Sequence, residues 1–353
     1  MIRIIHNYYT EGFPSRVEFP SGLKGLLLYL GAIFTQWPSG LQRIMKFQPF
    51  IALVISLLVV FLFKKGFEYV PIAIVSVIFA FFYITFRLYL LKDTKGIITI
   101  FWDTALIFIL NNMLLFVIPF YFKSMTFPSR NIFFAPVIVG LTVIASWYHL
   151  YQCFIAKHPL RSSLFYALTF FCVLNFLFPI IFGMRNIFSL LLSGGVAATT
   201  VVLFVYPHID ILKNKKNTTV FLFGIALFFA LLWFGRSIIP PSPLKLTHTT
   251  ACRNIELFRP KESFYRSKID ITPEVYFYSS IFAPRGLAEK INHVWYHNGR
   301  RLFTVSLSEI HGGRKEGFGT WSRHTILEGT GEYMVEIWTA GGQLLGIGNF
   351  VLY

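Results

Sequence analysis

The first 240 residues hold one apolar run after another, each long enough to cross a bilayer, and after Ile239 no such run recurs. A span needs about 20 mostly apolar residues to cross roughly 30 Å of hydrocarbon. Seven runs qualify, at residues 47–63, 69–91, 97–122, 132–155, 164–182, 187–206 and 220–239. Only helices satisfy their own backbone within such a short apolar stretch, so the expectation for this part is an all-α bundle of about seven transmembrane helices. Composition agrees, because charged residues make up 14% of the chain where a soluble protein carries about a quarter.

The net charge is +16, and +13 of it falls in residues 1–241, on cations that flank the apolar runs. Loop cations of a membrane protein explain that placement, and a nucleic-acid partner is excluded. Twelve cations lie on one side of the seven spans, from Arg3 to Lys46, at Lys92 and Lys95, at Lys157 and Arg161, and at Lys213, Lys215 and Lys216. Lys64, Lys65, Lys123, Arg130 and Arg185 make five on the other. The cation-rich side is cytoplasmic by the positive-inside rule, so a multi-pass protein of the bacterial inner membrane is expected, with N-terminus inside and C-terminal domain periplasmic. Residues 1–46 read as a cytoplasmic segment whose run at 21–34 is too short to span and lies in the interface. The first membrane helix then serves as the targeting signal.

Residues 47–239 form the membrane domain, and 240–248 a linker stiffened by Pro240, Pro241 and Pro243. From 249 to 353, runs rich in Val, Ile, Tyr, Phe and Trp recur about every ten residues between turn signals, which predicts an all-β antiparallel sandwich-like domain. Asn298-Gly299 predicts a hairpin with a type I′ turn, and Gly341-Gly342 a second hairpin. Alternation sets His293, Trp295 and His297 on one strand face, and Tyr333, Val335 and Ile337 on another. Cys153 and Cys172 fall in apolar runs, which leaves Cys252 without a disulfide partner in the β-domain.

The segments HVWYHNGR at 293–300, GTWSRHT at 319–325 and GEYMVEIWTAGGQLLGIGNFVL at 331–352 resemble the bacterial domain of unknown function catalogued as family 2914, and residues 251–263 look like its opening strand. The resemblance covers about the last 105 residues and implies an envelope protein with no established activity.

Candidate sites follow from chemistry. His293, Trp295, His297, Trp321 and Arg323 would suit sugar rings by stacking and anionic groups by charge, if they share a surface. The bland account puts the tryptophans in the core. Within the spans, Asp103, Asn111, His149 and Asn175 are the polar residues to weigh, either as a transport path or as interhelical hydrogen bonds. Small residues from Ser193 to Ala198 predict close helix packing. No catalytic constellation, metal set or cofactor motif is present. The expected function is a noncatalytic envelope protein whose periplasmic β-domain binds a glycan, peptidoglycan or a protein partner, with membrane lipid around the helices. A polytopic transporter or lipid-modifying enzyme, and a structural subunit of a larger envelope assembly, are the alternatives.

Overall fold

The computed structural model describes residues 70–89, 97–127, 129–147, 150–156, 159–205, 215–257, 259–264 and 274–353. The chain divides into two compact units, residues 1–48 with 93–106 and residues 49–92 with 107–353. Apart from residues 97–106, the features below belong to the second unit. The run at 47–63, the interfacial segment at 21–34 and His149 lie outside the described residues.

Six α-helices are described: α1 (Val70–Tyr89), α2 (Ile97–Ser124), α3 (Ala135–Ser146), α4 (Pro159–Phe182), α5 (Asn186–Val205) and α6 (Lys215–Phe234). Ala105–Ser124, Leu160–Phe182, Asn186–Leu203 and Thr218–Ser237 are long and apolar enough to span a membrane; Val70–Thr85 and Arg130–Ser146 are shorter apolar helices. The described residues therefore support four spans by length and composition, not the expected seven. The run at 132–155 is the clearest departure. A 3₁₀ turn at Arg130–Phe134 leads into α3, whose 12 residues rise only about 18 Å, and Trp147 then turns extended at ψ 90°. Apolar composition could not reveal that break, because Trp147 is as apolar as its neighbours.

Buried side chains of α2 (Leu110, Leu114, Val117, Tyr121), α3 (Ile138) and α4 (Phe170, Phe176, Leu177) make the helical core. Phe116 and Phe120 pack on Phe176 with centroids 5.8 and 4.5 Å away. Hydrogen bonds tie three helices together inside it: Asn175 Nδ2 donates to the Tyr121 hydroxyl at 3.2 Å, that hydroxyl donates to Cys172 O at 2.9 Å, and Ser189 Oγ donates to Asn175 O at 2.9 Å. Gly183, at φ +59°, reverses the chain between α4 and α5. On α5, Gly194 fits directly against Leu232 of α6, the close approach the small residues predict.

Eight strands follow: β1 (Lys245–Glu256), β2 (Arg259–Phe264), β3 (Glu274–Phe282), β4 (Ala288–His297), β5 (Arg300–His311), β6 (Phe318–Thr325), β7 (Gly331–Thr339) and β8 (Leu344–Leu352). They form two antiparallel four-stranded sheets, ordered β2-β1-β3-β6 and β5-β4-β7-β8. The inner faces share one core in which Phe277, Trp295, Tyr333, Val335, Ile337 and Phe350 are all buried. Asn298 and Gly299 both have positive φ, +46° and +78°, as a type I′ turn requires. The prolines of the expected linker do not act as a spacer. Pro240 to Leu244 are buried in tight turns, and strand pairing begins at Lys245.

The sandwich rests on the helix ends. Asn131 Nδ2 donates to Leu344 O at 3.0 Å and Thr126 Oγ1 to Leu345 O at 3.2 Å. The amide N–H of Asn186, at the start of α5, donates to Glu289 Oε2 at 3.0 Å, and Gln343 Nε2 donates to Ile239 O at 3.2 Å. Arg185 pairs with Glu309 at 3.0 Å, but both are partly solvated and the pair is worth at most about 1 kcal/mol. Close backbone approach matters more: a Cβ on Gly183 would come within 2.6 Å of Gly286 O, and one on Gly341 within 2.6 Å of Ile187.

Candidate functional site

The residues expected to make one patch are separated by the pleat. His293 and Trp295 point inward and are 0% exposed. Phe277 and Phe350 pack edge-on against Trp295, at 6.1 and 6.0 Å, and Phe303 stacks on it at 5.9 Å. Burying an aromatic of this size, about 200 Å², at ~25 cal/mol per Å² favours folding by about 5 kcal/mol, so the indole is the centre of the core rather than a platform.

The polar atoms carried inward are satisfied by a directed chain. Trp295 Nε1 donates to Ser322 Oγ at 2.9 Å, and Ser322 Oγ lies 2.8 Å from His293 Nδ1. His293 Nε2 lies 2.9 Å from Ser279 Oγ, which is 2.8 Å from Thr320 Oγ1. An indole only donates, so Ser322 Oγ accepts from Trp295, and a neutral imidazole fits between the two serines with one ring nitrogen donating and the other accepting. The imidazole is thereby neutral, and burial holds it down at about 3. Sealed from solvent, this Ser and His pair has no route to a substrate.

His297 is half-buried, its ring 4.6 Å from that of Tyr333, with Nε2 3.1 Å from Thr330 O. Trp321 and Arg323 lie on the opposite, outer face of the β2-β1-β3-β6 sheet, where Arg323 meets Glu274 at 3.4 Å. So of the five, Trp321 and Arg323 share an outer face, on a different sheet from His293, Trp295 and His297.

That outer face holds the candidate site. Register sets Trp321 beside Tyr278, and Tyr278 beside Thr250. The Tyr278 ring lies across Gly319, where a Cβ would come within 2.5 Å of its hydroxyl, and the His248 ring is 6.4 Å from it. An open groove of about 1220 Å³ runs over His248, Tyr278 and Trp321, rimmed by Arg259, Arg314, Lys315 and Glu316. The rim's backbone is anchored at Glu316, whose O accepts from Ser280 Oγ and Thr247 Oγ1 at 2.9 and 3.2 Å, while the Arg259 and Glu316 side chains are exposed and pair at 3.9 Å. Tyr278 is itself covered, 9% exposed, so the partly exposed rings of Trp321 and His248 with the net positive rim are what suit a sugar ring carrying anionic groups. His248, Tyr278, Arg259 and Arg314 were not singled out in the sequence. The β-character of their strands was visible there, but the partner strand across the sheet was not. No cluster of metal-ligating side chains occurs among the described residues.

In the helices, Asn111 is buried and accepts from Ser146 Oγ at 2.7 Å, while Asn175 meets Tyr121. Asn111 and Tyr121 are ten residues apart on α2, about 15 Å along its axis, so the two amides sit at different levels of the helical core. Both act as interhelical hydrogen bonds. Asp103 lies in α2, and its side chain is outside the described residues.

Two family models match the chain, and their boundary falls inside the sandwich rather than between helices and sandwich. A family model described as "Family of unknown function (DUF5924)" matches residues 32–270, about two thirds of the chain. The chain belongs to the DUF5924 family. A second model, "Protein of unknown function (DUF2914)", matches residues 288–352, the resemblance read from the sequence. The DUF5924 match runs past the helices through β1 and β2, while the DUF2914 match holds β4 to β8. The sandwich is thus built across both, with β1 and β2 of the DUF5924 region completing the sheet to which β6 of the DUF2914 region belongs. No curated protein and no solved structure matches the chain.

Proposed function

We propose that the protein is a multi-pass protein of the bacterial inner membrane whose periplasmic β-sandwich is a noncatalytic binding module for an anionic glycan, with peptidoglycan as the natural candidate. The observation that carries this reading is the groove on the outer sheet face, with Tyr278 and Trp321 side by side under a rim of Arg259, Arg314 and Lys315. Orientation is supported by the docking contacts: Thr126 to Asn131 and Arg185 to Asn186 touch the sandwich, and these loops belong to the cation-poor side of the helices. The helices serve as an anchor that holds the module at a fixed attitude.

Co-sedimentation of the full-length protein, in mild detergent, with insoluble peptidoglycan tests the reading. Wild type is expected to pellet with the polymer, and Trp321→Ala to weaken that by about tenfold, one lost stacking contact of roughly 1.4 kcal/mol. Equal pelleting of the two, or none by wild type, refutes it.

A further inference from the structure

Where α6 meets the sandwich there is a second, smaller cavity of about 240 Å³, lined by Trp233, Phe234, Arg236, Ser237, Trp338 and Gly342. The geometry points to a phospholipid site here, with the headgroup phosphodiester held by Arg236. The apolar span Thr218–Ser237 ends within one residue of Arg236, which puts the guanidinium at headgroup level when the span crosses a bilayer. Trp233 and Trp338 are the amphipathic aromatics expected at that depth.

The guanidinium is fixed in place. It stacks on Trp233, 4.1 Å from the ring centre, and Gly342 presses on its Nε edge so closely that any Cβ there would overlap it. Nη1 is buried and has no hydrogen-bond partner among the described residues. A buried donor left unpaired on a charged group is costly, and an anionic oxygen is the partner that relieves it best. Trp338 Nε1 is already committed to Glu336 Oε2 at 3.0 Å, which leaves Arg236, the Ser237 hydroxyl and the Trp233 indole N–H as side-chain donors lining the cavity. The cavity has room for about eight waters at ~30 Å³ each, enough for a phosphodiester.

A lipid is preferred over free phosphate because of what lies below. Phe234, Leu231 and Leu227 are 82%, 64% and 46% exposed along α6, an apolar track for acyl chains beneath the cation. One wall of the cavity, Trp338 and Gly342, belongs to the sandwich, so a lipid seated here touches both the membrane helix and the β-domain. The site stands apart from the glycan groove and does not depend on it.

Native mass spectrometry of the full-length protein in detergent tests this with phosphatidylglycerol, diacylglycerol of the same chains, and inorganic phosphate as probes. Wild type is expected to retain phosphatidylglycerol at least about tenfold better than diacylglycerol, with Arg236→Gln losing that preference and Arg236→Lys keeping part of it. Equal retention of the two lipids by wild type overturns the proposal, as does an unchanged preference in Arg236→Gln. Displacement of the lipid by millimolar inorganic phosphate would overturn the lipid assignment in favour of a free-phosphate site. If Arg236→Gln does not fold, the wild-type comparison of the two lipids still decides.

Discussion

Acid should loosen the β-sandwich through His293. In the fold this imidazole is held at about 3 by burial, against about 6.5 in an unfolded chain. A base whose folded value is depressed takes up its proton more readily when unfolded, so stability is intact above about pH 6.5 and falls as pH drops toward 3. Between pH 7 and pH 4.5 the loss from this one group is about 2–3 kcal/mol, which raises the open population by well over tenfold. Geometry gives the same sign: in the doubly protonated ring both nitrogens donate, so the serine hydroxyl that donates to the neutral ring would lose its buried acceptor. Glu289 acts the other way. Burial at the docking interface pushes its carboxyl up, so protonation below its folded value favours the folded state. The assay must therefore isolate His293. Hydrogen exchange of β4 and β6 amides in the full-length protein, corrected for intrinsic rates, should show the loss at pH 4.5 in wild type and not in His293→Gln. Equal pH dependence in the two proteins would refute the reasoning.

Trp295→Ala should cost about 4 kcal/mol, because the packed ring leaves a cavity its neighbours cannot close, and thermal unfolding should fall accordingly. Asn131→Ala removes a side chain that joins the loop after α2 to Ser124, Thr126 and Leu344, and about 2 kcal/mol of local stability; exchange should rise around Leu344 and stay unchanged in β2. A Cβ at Gly312 would overlap Pro284 O, so Gly312→Ala should lower the melting temperature by several degrees. Cys252 is buried in β1 and its thiol is pushed up to about 11, so alkylation at pH 8 should require denaturation.

Much of this architecture is legible in the residues. The hairpin at Asn298-Gly299 is fixed by its own two residues, since few pairs accept positive φ twice in succession. Tyr333, Val335 and Ile337 share the inner face as alternation requires. Alternation also groups His293 with Trp295 correctly, but it cannot say which face turns inward. That choice belongs to the opposing sheet, whose Phe277 closes over the indole while Phe350 flanks it from its own sheet.

The same limit separates local from non-local throughout. Apolar runs announce helices because bilayer thickness sets their length, and turn dipeptides announce hairpins because backbone sterics act within a few residues. Trp321 meets Tyr278 only through the pairing of β6 with β3, more than 40 residues apart in sequence, and Trp338 reaches the Arg236 cavity from over 100 residues away. Both surfaces offered here as binding sites are of that second kind. Their residue types were visible in the chain from the start, and packing alone decided which of them meet.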